Sequence, residues 1–136
     1  MNSSCSTTGE TADSQVNHWV PQTAVIREIT PEVNDVATYQ LALTDPAAAE
    51  AYRFVPGQFN MLYVPGAGES AISMSGNPES PEILAHTIRV AGNVTRSIAA
   101  MKVGDTLGLR GPFGTSWPLE MCAGRDVILV AGGIGL

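Results

Sequence analysis

The sequence predicts an all-β chain: a small antiparallel, Greek-key type barrel with one helix, followed by the opening strand of a second, α/β unit. Three observations predict it. Short segments with strand alternation recur from Thr23 onward, each closed by Gly, Pro, Asn or Asp. One segment, Val94–Met101, has helical spacing instead. Finally, Asp126–Val130 followed by Gly132-Gly133-Ile134-Gly135 reads as a buried strand entering a glycine-rich turn.

The elements follow in order. Residues 1–17 are rich in Ser, Thr, Asn and Gly and poor in large apolar side chains, so a disordered tail is expected. The barrel is expected over residues 18–118. Ala37, Tyr39, Leu41 and Leu43 alternate with Val36, Thr38, Gln40 and Ala42, which is strand periodicity. Asp45-Pro46 ends that strand, and Pro46 to Ala51 suits one helical turn. Pro56-Gly57 turns the chain into a strand over Gln58–Val64, and Pro65 to Gly68 breaks it. Ser70–Ser75 is the next strand. Ile83–Ala91 alternates again, with Leu84, His86, Ile88 and Val90 on one face. Asn93 is placed to cap the helix, whose apolar side carries Ile98 and Met101. Thr106–Arg110 is the sixth strand, before Gly111-Pro112-Phe113-Gly114. Leu119–Arg125 reads as a linker to the unit expected over residues 126–136. That unit is expected to be truncated, with its strand short of a natural sheet.

Bulk properties exclude several functions. The net charge is -6 with only seven Lys and Arg, so no basic surface exists for nucleic acid. Two cysteines, Cys5 and Cys122, have no metal-binding spacing and cannot hold an iron–sulfur cluster, which takes about four ligands. The start lacks a signal-peptide core, and the longest apolar run is too short to span a bilayer. A cytoplasmic location is expected.

Three constellations could carry chemistry. Gly92-Asn93-Val94-Thr95 opens the helix, where free N–H groups and the dipole suit a pyrophosphate. Arg89 and Arg96 flank it. The plainer reading is an ordinary strand-to-helix turn with a capping Asn. Ser70-Ala71-Ile72-Ser73 and Thr87-Ile88-Arg89 lie on successive strands and could face a flat polar ring, with Ile72 and Ile88 as apolar contacts. Hydroxyls on such strands are commonly satisfied locally instead. Gly132, Gly133 and Gly135 suit a dinucleotide turn, or else a glycine-rich loop. His18 and His86 make no catalytic pair, and His86 reads as structural. Trp117 reads as a plug at the barrel end rather than a cover for a ligand.

The order of these motifs resembles the ferredoxin–NADP reductase superfamily. Within it, the chain looks most like the gamma subunits of cytoplasmic nickel–iron hydrogenases of the sulfhydrogenase type. Dihydroorotate dehydrogenase electron-transfer subunits and a subunit of anaerobic sulfite reductase are related. The resemblance runs from about Gln22 to Leu136. It implies an FAD-binding barrel and the start of an NAD(P)-binding domain. Ile72 and Ser73 match the first flavin strand, where Ser70 stands in place of a common phosphate-holding Arg. Thr87, Ile88 and Arg89 match the second. Val94 and Thr95 match the pyrophosphate turn, which Gly92 and Asn93 open and to which they are assigned. Gly132, Gly133 and Gly135 match the nucleotide domain. The implied function is an FAD-dependent NAD(P)H oxidoreductase subunit exchanging electrons with an iron–sulfur or metalloenzyme partner such as a hydrogenase. Any 2Fe–2S cluster would lie outside this chain. The competing hypotheses are a non-catalytic barrel used as an interaction module, and a fragment without turnover.

Overall fold

The computed structural model describes residues 19–134. The tail expected over residues 1–17, and Gly135, lie outside the described residues.

The elements are β1 (Gln22–Val33), β2 (Val36–Leu43), α1 (Pro46–Ala51), β3 (Phe59–Val64), β4 (Gly68–Ser73), β5 (Leu84–Arg89), α2 (Asn93–Ala99), β6 (Thr106–Phe113) and α3 (Leu119–Cys122). They form one sheet in the order β4-β3-β6-β1-β2-β5. Every pairing is antiparallel. Strand β6 sits between β3 and β1, so the sheet is a crossed arrangement rather than a simple meander.

Alternation places one face of each strand inside. Leu41 and Leu43 of β2 and Leu84, His86 and Ile88 of β5 point inward, as their period of two requires. Leu62, Leu107 and Leu109 meet them from β3 and β6, and Ile98 of α2 is fully buried beneath the sheet. A buried Leu or Ile of this kind contributes about 1.5–3 kcal/mol.

The sheet curls until its two outer strands meet. Just past β4, the Ser75 N–H donates to the Ala85 carbonyl of β5 at 2.9 Å. The Thr87 hydroxyl donates to Ser75 Oγ at 3.0 Å. The barrel thus closes through isolated bonds along a β4–β5 seam, while its other joints are ladders.

Three expectations change. Asp126–Val130 forms no strand; Ile128 and Val130 are 89% and 91% exposed. A parallel-type apolar strand needs neighbouring strands and covering helices, and none stands beside it among the described residues. Part of the expected linker forms the short helix α3. Gly92, not Asn93, is the N-cap of α2. The capping bonds come from Thr95, whose Oγ1 accepts the N–H groups of Ala91 and Gly92, both at 2.9 Å. Asn93 instead donates its side-chain amide to the Ala67 carbonyl at 3.3 Å.

Candidate functional site

A cleft of about 730 Å³ lies over the seam. Ala71, Ile72 and Ser73 of β4, continuing into Met74 and Ser75, form one wall. Thr87, Ile88 and Arg89 of β5 form the other, with Ala91 and Thr95 closing its end. Gly57, Gln58 and Trp117 make one rim, and Gly132 to Ile134 another. The size is that of a small-molecule or cofactor pocket.

Two loops hold the aromatic rim. The Trp117 N–H donates to the Pro56 carbonyl at 2.8 Å, and the Gln58 side-chain amide donates to the Gly114 carbonyl at 3.3 Å. Gly57 has φ +103° and lies beneath the indole, where a Cβ would fall 2.2 Å from Trp117 Cδ1. Only glycine satisfies both demands. Trp117 is 61% exposed and lines the cleft, so it is not the plug expected from sequence.

Among the described residues, Arg89 is the only charged residue lining the cleft. It ends β5 on the exposed face, and its guanidinium has no ion-pair or hydrogen-bond partner among the described residues. Arg110, by contrast, is neutralised by Glu69: its Nε donates to Oε2 at 3.0 Å while an NH group grips the other oxygen. That hydrogen bond lowers the Glu69 pKa and raises the Arg110 pKa. Ser73 is exposed on β4, whereas the Thr87 hydroxyl is already engaged by Thr38 and Ser75.

The structure therefore brings Ile72, Ser73, Thr87, Ile88, Arg89, Thr95, Gly132 and Gly133 to one cleft. Two do not contribute as expected. Ile88 turns its side chain into the core, leaving only its backbone at the wall. The Thr95 hydroxyl accepts two N–H groups and donates to the Gly92 carbonyl at 3.2 Å, so it is spent within the turn. Gly92, Asn93 and Val94 are not among the lining residues, and Val94 packs against the core. Sequence reasoning missed Gln58, Met74, Ser75 and Trp117. The signal for two of them was present in Pro56-Gly57-Gln58-Phe59, whose glycine marks a close approach of something bulky.

Beneath the cleft floor runs a buried polar chain. The Tyr52 hydroxyl donates to Asn60 Oδ1 at 2.6 Å. That orients the amide so that Nδ2 donates to His86 Nε2 at 3.3 Å. His86 Nδ1–H is then left to donate to the Ser73 carbonyl at 3.0 Å. Burial lowers the His86 pKa to about 4, against the opposing backbone hydrogen bonds, so the ring is neutral. Burial likewise pushes the Tyr52 hydroxyl up to about 12, although its bond to Asn60 pulls the other way. Gly111 makes room for this chain: a Cβ there would meet Asn60 Oδ1 at 2.2 Å.

The described residues include no cluster of three potential metal ligands and no helix long and apolar enough to cross a membrane.

No family model matches the chain. It is 42% identical over 91 residues to sulfhydrogenase 1 subunit gamma of Pyrococcus furiosus, covering 67% of this chain and 31% of that protein. It is 30% identical over 115 residues to a probable dihydroorotate dehydrogenase B (NAD(+)) electron transfer subunit of Methanocella arvoryzae, covering 85% of this chain and 39% of that one. The chain thus spans between 31% and 39% of the length of these curated relatives. Among solved structures, a ferredoxin NADP+ reductase from Neisseria gonorrhoeae with bound FAD and NADP superimposes with a TM-score of 0.58 at 24% identity. That match covers 68% of this chain and 38% of the other.

Proposed function

We propose, from the likeness of this chain to sulfhydrogenase gamma and dihydroorotate dehydrogenase electron-transfer subunits and from its ferredoxin-reductase-like fold, that it is a member of the ferredoxin–NADP reductase superfamily whose barrel binds FAD in the β4–β5 cleft. In this reading it is the flavin-holding part of an electron-transfer oxidoreductase subunit. The observation that carries the reading is the cleft itself, where Arg89 is the only charge and has no partner among the described residues, in a chain of net charge -6. An acidic protein that leaves a lone guanidinium on a cofactor-sized wall suits an anionic ligand. The other lining residues fit FAD as well. Trp117 offers an aromatic face, Ser73 an exposed hydroxyl, and Ile72 an apolar contact.

Bound FAD would supply the exchange between two-electron nicotinamide chemistry and single-electron carriers. The chain's own residues hold and orient it. Arg89 offsets the pyrophosphate charge, with Ala91 and Thr95 closing the end of the cleft. Trp117 and the Gly57 loop cover the ring region from water. Gly132 and Gly133 line the rim of the cleft, and in this reading they and Gly135, by their sequence pattern, serve the nicotinamide nucleotide. The partner is an iron–sulfur subunit of the hydrogenase or dihydroorotate dehydrogenase kind, and the compartment is the cytoplasm.

The test is optical. The purified chain should show flavin absorbance bands, or take up added FAD with quenching of flavin fluorescence. A folded barrel that binds no FAD at micromolar concentrations would overturn this function and leave the interaction-module reading in its place.

A further inference from the structure

We infer that His86 is a positioning residue: by pinning the Ser73 carbonyl across the barrel seam, it sets the separation of the two cleft walls and so the fit of the flavin. The consequence for flavin rests on the function proposed above. The pin itself rests on the barrel alone.

The cleft does not sit on a continuous sheet. Its walls, β4 and β5, are the two ends of the strand order. No ladder joins them, so their spacing is set by a few bonds. Two of these lie near the outer surface, Ser75 N–H to Ala85 and Thr87 to Ser75. The third comes from within. His86 projects from β5 into the core at 0% exposure and reaches Ser73, the last residue of β4. Ser73 and its neighbours Ile72 and Met74 all line the cleft.

An imidazole among leucines is costly unless its nitrogens are paired. Here each nitrogen has a partner, and the pairing is directional. Tyr52 orients Asn60, Asn60 donates to Nε2, and this dictates that Nδ1 carries the proton toward Ser73. Four separate segments thereby converge on the orientation of one peptide group in the cleft wall. A residue needed only to fill space would be served by leucine. The arrangement specifies a donor pointing at one carbonyl.

His86→Leu, His86→Gln and Tyr52→Phe, made in the full chain, test the inference. Gln retains an N–H for Ser73 and an acceptor for Asn60. Phe removes only the hydroxyl that orients the amide and leaves the imidazole in place. Three quantities are read: FAD affinity by fluorescence titration, amide exchange at Ser75, and the midpoint of chemical denaturation. His86→Leu should weaken FAD about tenfold, one neutral hydrogen bond's worth, and speed exchange at Ser75. His86→Gln should recover most of both, and Tyr52→Phe should fall between. A space-filling role predicts instead that FAD affinity follows the denaturation midpoint alone. If His86→Leu fails to fold, the comparison of Gln and Phe with wild type still decides. The inference is overturned if folded His86→Leu, or Tyr52→Phe where His86→Leu does not fold, binds FAD as wild type does or leaves Ser75 equally protected. If wild type binds no FAD, the function above fails. Accelerated exchange at Ser75 in the unliganded variants would then uphold the pin, and unchanged exchange would sink it as well.

Discussion

Among the described residues Arg89 is the one charged side chain at the cleft, and its removal should act on binding and little on folding. A hydrogen bond to a charged group is worth roughly 1.5–3 kcal/mol. Arg89→Ala should therefore lower FAD affinity by about one to two orders of magnitude, with the denaturation midpoint unchanged. Lysine would restore only part, because it lacks the bidentate fork. Arg96→Ala should matter less, since Arg96 is exposed on α2 and is not among the lining residues. Fluorescence titration ranks the variants; normal binding by Arg89→Ala with loss in Arg96→Ala would assign the phosphate to the wrong cation. Thr95 behaves differently. Its hydroxyl closes the start of α2, so Thr95→Ala should destabilise the fold by about 1 kcal/mol, visible in urea titration without any ligand. Arg89 was legible in the sequence because a charged residue before a glycine turn is conspicuous. The internal use of Thr95 was not, since the same residue pattern serves a cap or a ligand equally.

At the scale of elements, alternation made β2 and β5 readable, and their inward faces are the ones the period of two predicts. Ile98 anchors α2 beneath the sheet, so Ile98→Ala should cost about 2–5 kcal/mol as a cavity opens, measured by equilibrium unfolding. What periodicity misjudged was Asp126–Val130. Its composition is that of a strand, but a strand is completed by its neighbours, and composition does not supply them. Amides from Val127 to Val130 should exchange rapidly. Protection there in a monomer would mean that the segment has found a partner edge. The β4–β5 seam was equally hidden. It depends on how far the sheet curls, a property of all six strands together that no single segment records.

For the whole molecule, acid should expose the buried imidazole. The unfolded chain takes up the His86 proton below its ordinary pKa of 6.5, whereas the folded chain resists until about pH 4. Stability is full above the first value and declines as pH falls toward the second. The span corresponds to roughly 3 kcal/mol. Urea midpoints at successive pH values should trace this decline, and His86→Gln should flatten it. A wild-type curve flat between those pH values would show that the ring is protonated without penalty.

The two tryptophans also divide the molecule optically. Trp19 rests against Phe113 with its ring 5.8 Å from the Arg110 guanidinium, while Trp117 overhangs Gly57 at the cleft. A chain with one indole at the cleft rim and one against a charged side chain carries its own two-channel reporter. Near-ultraviolet emission from Trp117 overlaps flavin absorption, so a ligand in the cleft should dim it by energy transfer. In Trp117→Phe, the remaining emission comes from Trp19 alone and should follow unfolding around β6, where Arg110 and Phe113 lie.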